Sequence, residues 1–194
     1  EESPLGTAGA VKLLEKELDD TFLIISGDCM TDIDLSAAVD FHKKAGSLAT
    51  IVLTRVPTPL EYGVVIIDDN GNIQRFLEKP GWGEVFSDTV NTGIYIIEPQ
   101  VLNLMESGKK YDWSNDIFPK LLADGKPIFG CVQDGYWCDI GNLKQYREAH
   151  EDAFDGRIGM DIPGKQLDSG AWVGENTEIA PDAKVHPKAI IGAN

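Results

Sequence analysis

Cations are scarce in this sequence: 17 Lys and Arg stand against 32 Asp and Glu, a formal charge of −15. So acidic a chain repels nucleic acid and anionic membranes, which argues against both as partners. A polyanionic small substrate would need a metal ion and a local basic cluster to screen it. Cysteine is scarce too. Cys29, Cys131 and Cys138 are odd in number and include no Cys-x-x-Cys pair. Neither a disulfide framework nor a zinc site is expected, and a reducing cytoplasm fits. No apolar run reaches the length of a membrane span, and the opening Glu-Glu-Ser-Pro is no signal peptide. The sequence also has no initiator Met and starts on a loop-like segment, as a fragment would. What remains is ordinary: 42% hydrophobic and 25% charged residues in 194, enough for one cored domain and a small appendage.

Along the chain, helix and strand signals alternate first. After the Gly-rich turn Leu5-Gly6-Thr7-Ala8-Gly9, Val11, Leu14 and Leu18 recur at helical spacing over residues 9–18. Phe22-Leu23-Ile24-Ile25-Ser26 reads as a fully buried strand, of the continuously apolar kind found in parallel sheets. Asp34 is placed to cap a helix running to Lys44, with Leu35, Ala38, Val39 and His42 on one face; strand Leu48–Leu53 follows. This rhythm predicts an α/β sheet with right-handed crossovers. Val64–Ile67 and Ile73–Leu77 then flank the turn Asp68-Asp69-Asn70-Gly71 as a hairpin. Val90–Ile97, Ile128–Val132 and Tyr136–Cys138 read as strands, Pro99–Met105 and Asp116–Leu122 as short helices. Leu143–Phe154 is amphipathic and is expected to turn Tyr146, His150 and Phe154 inward. His42 and His150 read as core or boundary residues, and Trp82, Trp113, Trp137 and Trp172 as packing. A mixed sheet covered by helices, over residues 1–156, is the simplest assembly.

Beyond residue 156 the period changes. Val173, Ile179, Val185 and Ile191 recur every six residues, each followed by a small residue or His, and Pro181 and Pro187 keep the same phase. This is the hexapeptide signature of a left-handed parallel β-helix, which residues 157–194 would begin. Little more than one coil is supplied, so the segment must pack on the first domain or on another chain.

Several short motifs carry chemistry. Asp28 follows Gly27 at the end of a strand, where ligands gather in α/β sheets, and is a metal-ligand candidate; an acidic turn is the competing reading. Asp139 stands at a second strand end, where capping the next helix competes with ligation, although Asn142 is better placed to cap. Two carboxylates from separate strands suit a Mg²⁺ that keeps waters and shares phosphates. Glu78-Lys79-Pro80 closes another strand. Lys79 can serve a phosphate as a point charge and Glu78 can accept from sugar hydroxyls, or both are a solvated strand end. Gly63, after Tyr62, lets backbone approach a sugar, and Asn91-Thr92-Gly93 offers polar contacts or an ordinary turn. The loop Pro4–Gly9 presents backbone groups to a base or phosphate, or simply caps a helix.

Taken in order, Pro4-Leu5-Gly6-Thr7-Ala8-Gly9, Gly27-Asp28, Tyr62-Gly63, Glu78-Lys79-Pro80, Asn91-Thr92-Gly93-Ile94-Tyr95 and Trp137-Cys138-Asp139-Ile140-Gly141, then hexapeptides, closely resemble the sugar-1-phosphate nucleotidyltransferases. The likeness covers nearly the whole chain and is nearest to mannose-1-phosphate guanylyltransferases. It implies a Rossmann-like α/β domain with a mixed sheet, N-terminally truncated, ahead of the β-helix start. It further implies that Asp28 and Asp139 bind the catalytic Mg²⁺, and that Glu78 and Asn91 hold sugar hydroxyls. Lys79 would meet the sugar phosphate, Gly63 would line the sugar pocket, and Leu5, Gly6 and Thr7 would lie beside the base. The substrates implied are an NTP, GTP first, and a sugar 1-phosphate, mannose 1-phosphate first; the sugar phosphate attacks the α-phosphate and pyrophosphate leaves. No protein nucleophile is required, so positioning and charge neutralisation carry such a reaction.

One family feature has no counterpart. The Gly-rich loop with an Arg, of the form G-x-G-T-R-L-x-P, does not occur; Gly81-Trp82-Gly83 has no Arg and follows the wrong motif. These 194 residues alone are therefore expected to have negligible transferase activity. Without the family's first strand, core strand edges would be open, and either homo-oligomerisation or a preceding segment in the parent protein is expected to cover them. Two alternatives stay open: glucose 1-phosphate with UTP or dTTP, and a non-catalytic homologue that binds a nucleotide sugar without making one. A hexapeptide acyltransferase using His186 would need several more coils.

Overall fold

The computed structural model describes residues 3–78 and 87–194. In chain order its elements are α1 (Gly6–Lys12), β1 (Phe22–Ile25), β2 (Cys29–Thr31), α2 (Leu35–Ala45), β3 (Ala49–Arg55), β4 (Gly63–Ile67), β5 (Ile73–Glu78) and β6 (Thr89–Ile97). A 3₁₀ segment (Pro99–Leu104), a π-helical turn (Trp113–Ile117), α3 (Phe118–Ala123), β7 (Ile128–Val132), β8 (Trp137–Asp139), α4 (Leu143–Phe154), β9 (Lys165–Gln166), β10 (Trp172–Val173) and β11 (Ile190–Ile191) follow. They form two compact units, one of Glu1–Gly27 with Ile33–Trp137, the other of Asp28–Asp32 with Cys138–Asn194. The parting at Trp137 falls ahead of the residue-156 boundary drawn from the change of period. No helix of the described residues is long and apolar enough to cross a membrane.

The first unit is built on a mixed sheet of order β5-β4-β6-β3-β7, with β1 also pairing β6. Among the described strands of this sheet, β3 and β7 pair in parallel and the other pairs are antiparallel. β3 is buried on both faces over residues 49–54, which is why it carries no charged residue before Arg55. Ile51 and Leu53 join one core with Tyr95, Trp113, Phe118 and Leu121, while Val52 joins Ile94, Ile96 and Cys131 beneath α2. α2 starts where Asp34 accepts the Ala37 N–H (3.0 Å) and stops at Gly46 in the left-handed region. His42 is 1% exposed and bonded to Thr50 Oγ1 (2.8 Å) and Glu98 Oε1 (3.1 Å), so it is the satisfied core histidine its position suggests.

β1 departs from the sequence reading. It is neither parallel nor fully buried: among the described strands it pairs with β6, antiparallel, and Leu23 and Ile25 remain 40% and 46% exposed. The apolar run conceals this, because only its alternate residues Phe22 and Ile24 reach the core. β1 and β4 follow one another along the same edge of β6, β4 meeting Val90 and β1 meeting Ile94–Ile97. Between them β6 kinks at Gly93, with φ +76°. A Cβ there would lie 2.5 Å from Ser26 Oγ, so the kink and the close approach both call for glycine.

In the second unit, α4 spans the predicted residues and is capped by Asn142, whose side chain accepts from the N–H groups of Lys144 and Gln145. Its phase is the correction. The covered residues are Gln145, Ala149, Asp152, Ala153 and Phe154, so of the expected face Phe154 is covered and Tyr146 and His150 are not. Tyr146 is 51% exposed, and its ring lies 4.4 Å from that of the exposed His150. Toward the C-terminus β9 and β10 pair antiparallel, whereas β10 and β11 pair in parallel, Val173 opposite Ile191 three six-residue repeats later.

Candidate functional site

Asp28 and Asp139 are brought together by the small ladder of β2 and β8. Asp28 immediately precedes β2 and Asp139 ends β8; the Ile140 N–H donates to the Asp28 carbonyl at 2.9 Å. The convergence registers at the neighbouring half-buried Cys29. Burial pushes its thiol up from the ordinary range, and the carboxylates of Asp28 and Asp139 push it further. The two carboxylates are hard oxygen donors of the kind Mg²⁺ takes. Among the described residues no group of three or more His, Cys, Asp or Glu could hold a metal ion. A cation here would complete its shell from water and substrate oxygens, which is how Mg²⁺ is commonly held. The donor set therefore fits Mg²⁺ and does not suit a zinc centre.

Beyond Asp139 the loop is fastened to α4. Gln145 Oε1 accepts from the Gly141 N–H (3.2 Å) and from Asn142 Nδ2 (2.7 Å). Gln145 was not singled out from sequence, although Asn-x-x-Gln at a helix start is a variant of the capping box and was readable.

The other candidates lie in the first unit. Gly63 opens β4 opposite Glu78 in β5, and Asn91 lies near the start of β6. Gly63 and Asn91 line one small hollow of about 30 Å³ with Val64, Phe76, Leu77 and Ser114. Asn91 is held firmly: Nδ2 donates to Tyr95 Oη and Ser114 Oγ, both at 3.1 Å, and Oδ1 accepts from the Gly93 N–H at 2.9 Å. Lys79 lies outside the described residues, and Glu78 is placed by its backbone pairing alone.

Leu5, Gly6 and Thr7 are fixed against residues 109–113. The N–H groups of Ala8 and Gly9 both donate to the Tyr111 carbonyl, and Tyr111 N–H donates to the Leu5 carbonyl. Those two helix-start donors are spent inside the fold. Thr7 Oγ1 donates to Asp112 Oδ2 (2.8 Å) and accepts from the Trp113 N–H (3.1 Å). Asp112 Oδ1 accepts from the N–H groups of Ser114 and Asn115, each at 2.9 Å, and so starts the π-helical turn. Asp112 and Ser114 were not picked out from sequence. The spacing Asp-x-Ser-Asn would have marked the cap, but no local signal says that Ser114 reaches Asn91.

Comparison with known proteins bears on the same segments. Residues 1–156 match the family model described as nucleotidyl transferase. The UTP–glucose-1-phosphate uridylyltransferase of Synechocystis sp. is 41% identical over 178 residues, 89% of this chain and 46% of that protein. The mannose-1-phosphate guanyltransferase of Debaryomyces hansenii is 38% identical over 191 residues, 96% of this chain and 51% of its own length. The chain thus spans about half the length of these curated relatives. Among solved structures, HddC from Yersinia pseudotuberculosis complexed with GMP-PN superposes with a TM-score of 0.67 at 25% identity, covering 79% of this chain and 64% of that one. With the mixed sheet, the paired aspartates and a match across 156 residues, the chain belongs to the nucleotidyl transferase family.

Proposed function

We propose that this chain serves nucleotidyl transfer from an NTP to a sugar 1-phosphate, with GTP and mannose 1-phosphate as the first substrate pair. The convergence of Asp28 and Asp139 within a family-matched chain carries the reading. A phosphate oxygen of the sugar phosphate attacks the α-phosphorus; that P–O bond forms, the α–β bridging bond breaks, and pyrophosphate leaves. Bound Mg²⁺ would neutralise phosphate charge, held by Asp28 and Asp139. Asn91 and Gly63 line the sugar pocket, Glu78 and Lys79 serve the sugar and its phosphate, and Leu5, Gly6 and Thr7 lie beside the base. Positioning is the whole contribution asked of these residues, since the displacement needs no protein nucleophile. The β10–β11 pairing supports residues 157–194 as the start of a β-helix.

The guanosine and mannose assignment is supported by the mannose-1-phosphate guanyltransferase relatives and by the GMP-PN complex of HddC. Glucose 1-phosphate with UTP is the second reading, favoured by the 41% identical uridylyltransferase. Thermal melting of the chain with GDP-mannose or UDP-glucose, each with and without Mg²⁺, tests both. At a hundredfold excess over Kd a ligand adds about 2.7 kcal/mol, a rise of roughly 5–10 °C for a chain of this size. A Mg²⁺-dependent rise with GDP-mannose supports the first reading and one with UDP-glucose the second. No rise with either nucleotide sugar or with the sugar phosphates refutes both.

A further inference from the structure

Both hydrogens of the Asn91 amide are spent on Tyr95 and Ser114, and Oδ1 has one lone pair left after the Gly93 N–H. Ser114 is its complement. Its Oγ receives the Asn91 N–H, and its own hydroxyl hydrogen has no acceptor among the described residues. The Ser114 N–H is anchored to Asp112 Oδ1, so the residue is fixed at the second position of the π-helical turn. Single π turns of this kind recur at functional sites.

Ser114 and Asn91 both face the hollow that Gly63 opens, over a floor of Val64, Phe76 and Leu77. Its volume of about 30 Å³ admits one water-sized group. On an apolar floor, one unspent donor and one unspent acceptor suit a single chemical group, a hydroxyl, which accepts and donates at once. We propose that Ser114 is a specificity-determining residue: its hydroxyl donates to one hydroxyl of the sugar 1-phosphate, whose hydrogen Asn91 Oδ1 accepts. This rests on the sugar-phosphate reading above and extends it to a residue that none of the sequence motifs contains. Replacing the sugar hydroxyl by hydrogen would leave the donor of Ser114 and the acceptor of Asn91 facing apolar surface. Such pockets discriminate against the analogue lacking the group.

The test is calorimetric titration of the full chain and its Ser114→Ala and Ser114→Thr variants. The titrants are mannose 1-phosphate, glucose 1-phosphate and their monodeoxy analogues, and each variant is checked by thermal melting. Ser114→Ala should weaken the better-bound sugar phosphate about 3–10-fold, while Ser114→Thr, which keeps the hydroxyl, should retain most of the affinity. One deoxy position should cost affinity in the wild type and cost clearly less in Ser114→Ala, where only the bond to Asn91 Oδ1 remains to be lost. That coupling separates contact with the sugar from bracing of Asn91, because bracing alone would lower affinity for all the analogues alike. If the wild type binds and Ser114→Ala binds equally well, the role of Ser114 is overturned and the pocket reading stands. If the wild type binds no sugar phosphate at all, the pocket reading fails, and the role of Ser114 with it.

Discussion

Replacing Gly93 by Ala tests the kink that sets Asn91 in place. Gly93 has φ +76°, and its missing Cβ would lie 2.5 Å from Ser26 Oγ and 3.2 Å from Ser26 Cβ. A left-handed conformation costs a non-glycine residue about 1–2 kcal/mol. Crowding against Ser26 adds about 1–3 kcal/mol, the usual toll of overpacking. The stiffer unfolded chain returns roughly 0.4–1 kcal/mol. The net expectation is a loss of about 2–3 kcal/mol, a large share of the roughly 5–15 kcal/mol that holds a domain folded. Urea unfolding followed by circular dichroism reads this as a lower midpoint at unchanged slope. Removing the obstruction as well, in Gly93→Ala with Ser26→Gly, should recover the steric part and leave the backbone part. A Gly93→Ala protein within about 0.5 kcal/mol of wild type would refute the reasoning, since that is the range of inconsequential surface changes. So would a full loss that Ser26→Gly leaves untouched.

Three further outcomes follow from the same geometry. With Cys131 and Cys138 replaced by Ala, the alkylation of Cys29 should show a midpoint above the ordinary thiol range; Asp28→Asn or Asp139→Asn should lower it, and no change would separate the carboxylates from the sulfur. Glu98 is held below the usual carboxylate range by the Thr21 hydroxyl and then by His42; its stabilisation is complete above its unfolded value and should fade as pH falls below about 4.5, a loss smaller in Thr21→Val, measurable by urea midpoints at pH 6 and pH 3.5. Asp112→Ala removes the acceptor shared by Thr7, Ser114 and Asn115 and should cost about 2–3 kcal/mol, with Asp112→Asn milder because it keeps one oxygen; equal unfolding midpoints for Asp112→Ala and wild type would sink the idea.

Much of the fold was legible because its signals are local. α2 and α4 declare themselves by Asp34 and Asn142 at their caps, and the β4–β5 hairpin by the turn that Asp68 organises. The failures occur where a partner decides. Nothing within Phe22–Ile25 says that its neighbour is β6, or that one face stays open. The period of α4 fixes a stripe but not which stripe meets the protein, and Ala149 is too small to advertise itself as the buried contact. The site follows the same division. Asp28, Asp139, Gly63 and Asn91 stand at strand ends or starts, where motifs are readable. Ser114 matters through a hydrogen bond across 23 residues of sequence, which no spacing rule anticipates.

The motif residues also turn out to be unequally free for chemistry. From Thr7 a run of hydrogen bonds passes through Asp112 to Ser114, from Ser114 to Asn91, from Asn91 to Gly93, and from Gly93 to the backbone of Ser26. Two motifs far apart in sequence are thereby joined in one bonded series through Asp112 and Ser114, and the Thr7 hydroxyl and both amide hydrogens of Asn91 are taken up within the fold. Thr7 both gives and receives within the series, and the helix-start N–H groups beside it are taken by Tyr111. Among the described residues of this series, the remaining lone pair of Asn91 Oδ1 and the hydroxyl hydrogen of Ser114 are left for a ligand. A motif's recurrence therefore has two physical sources, the contact a substrate requires and the bracing that holds the contacting atom still. The bonds of Thr7 and Gly93 place them with the second, and the role proposed above for Ser114 and the Asn91 oxygen would place those atoms with the first. Substitution should separate them by readout: bracing residues move the unfolding midpoint along with affinity, whereas contacting atoms move the choice among sugars at constant stability.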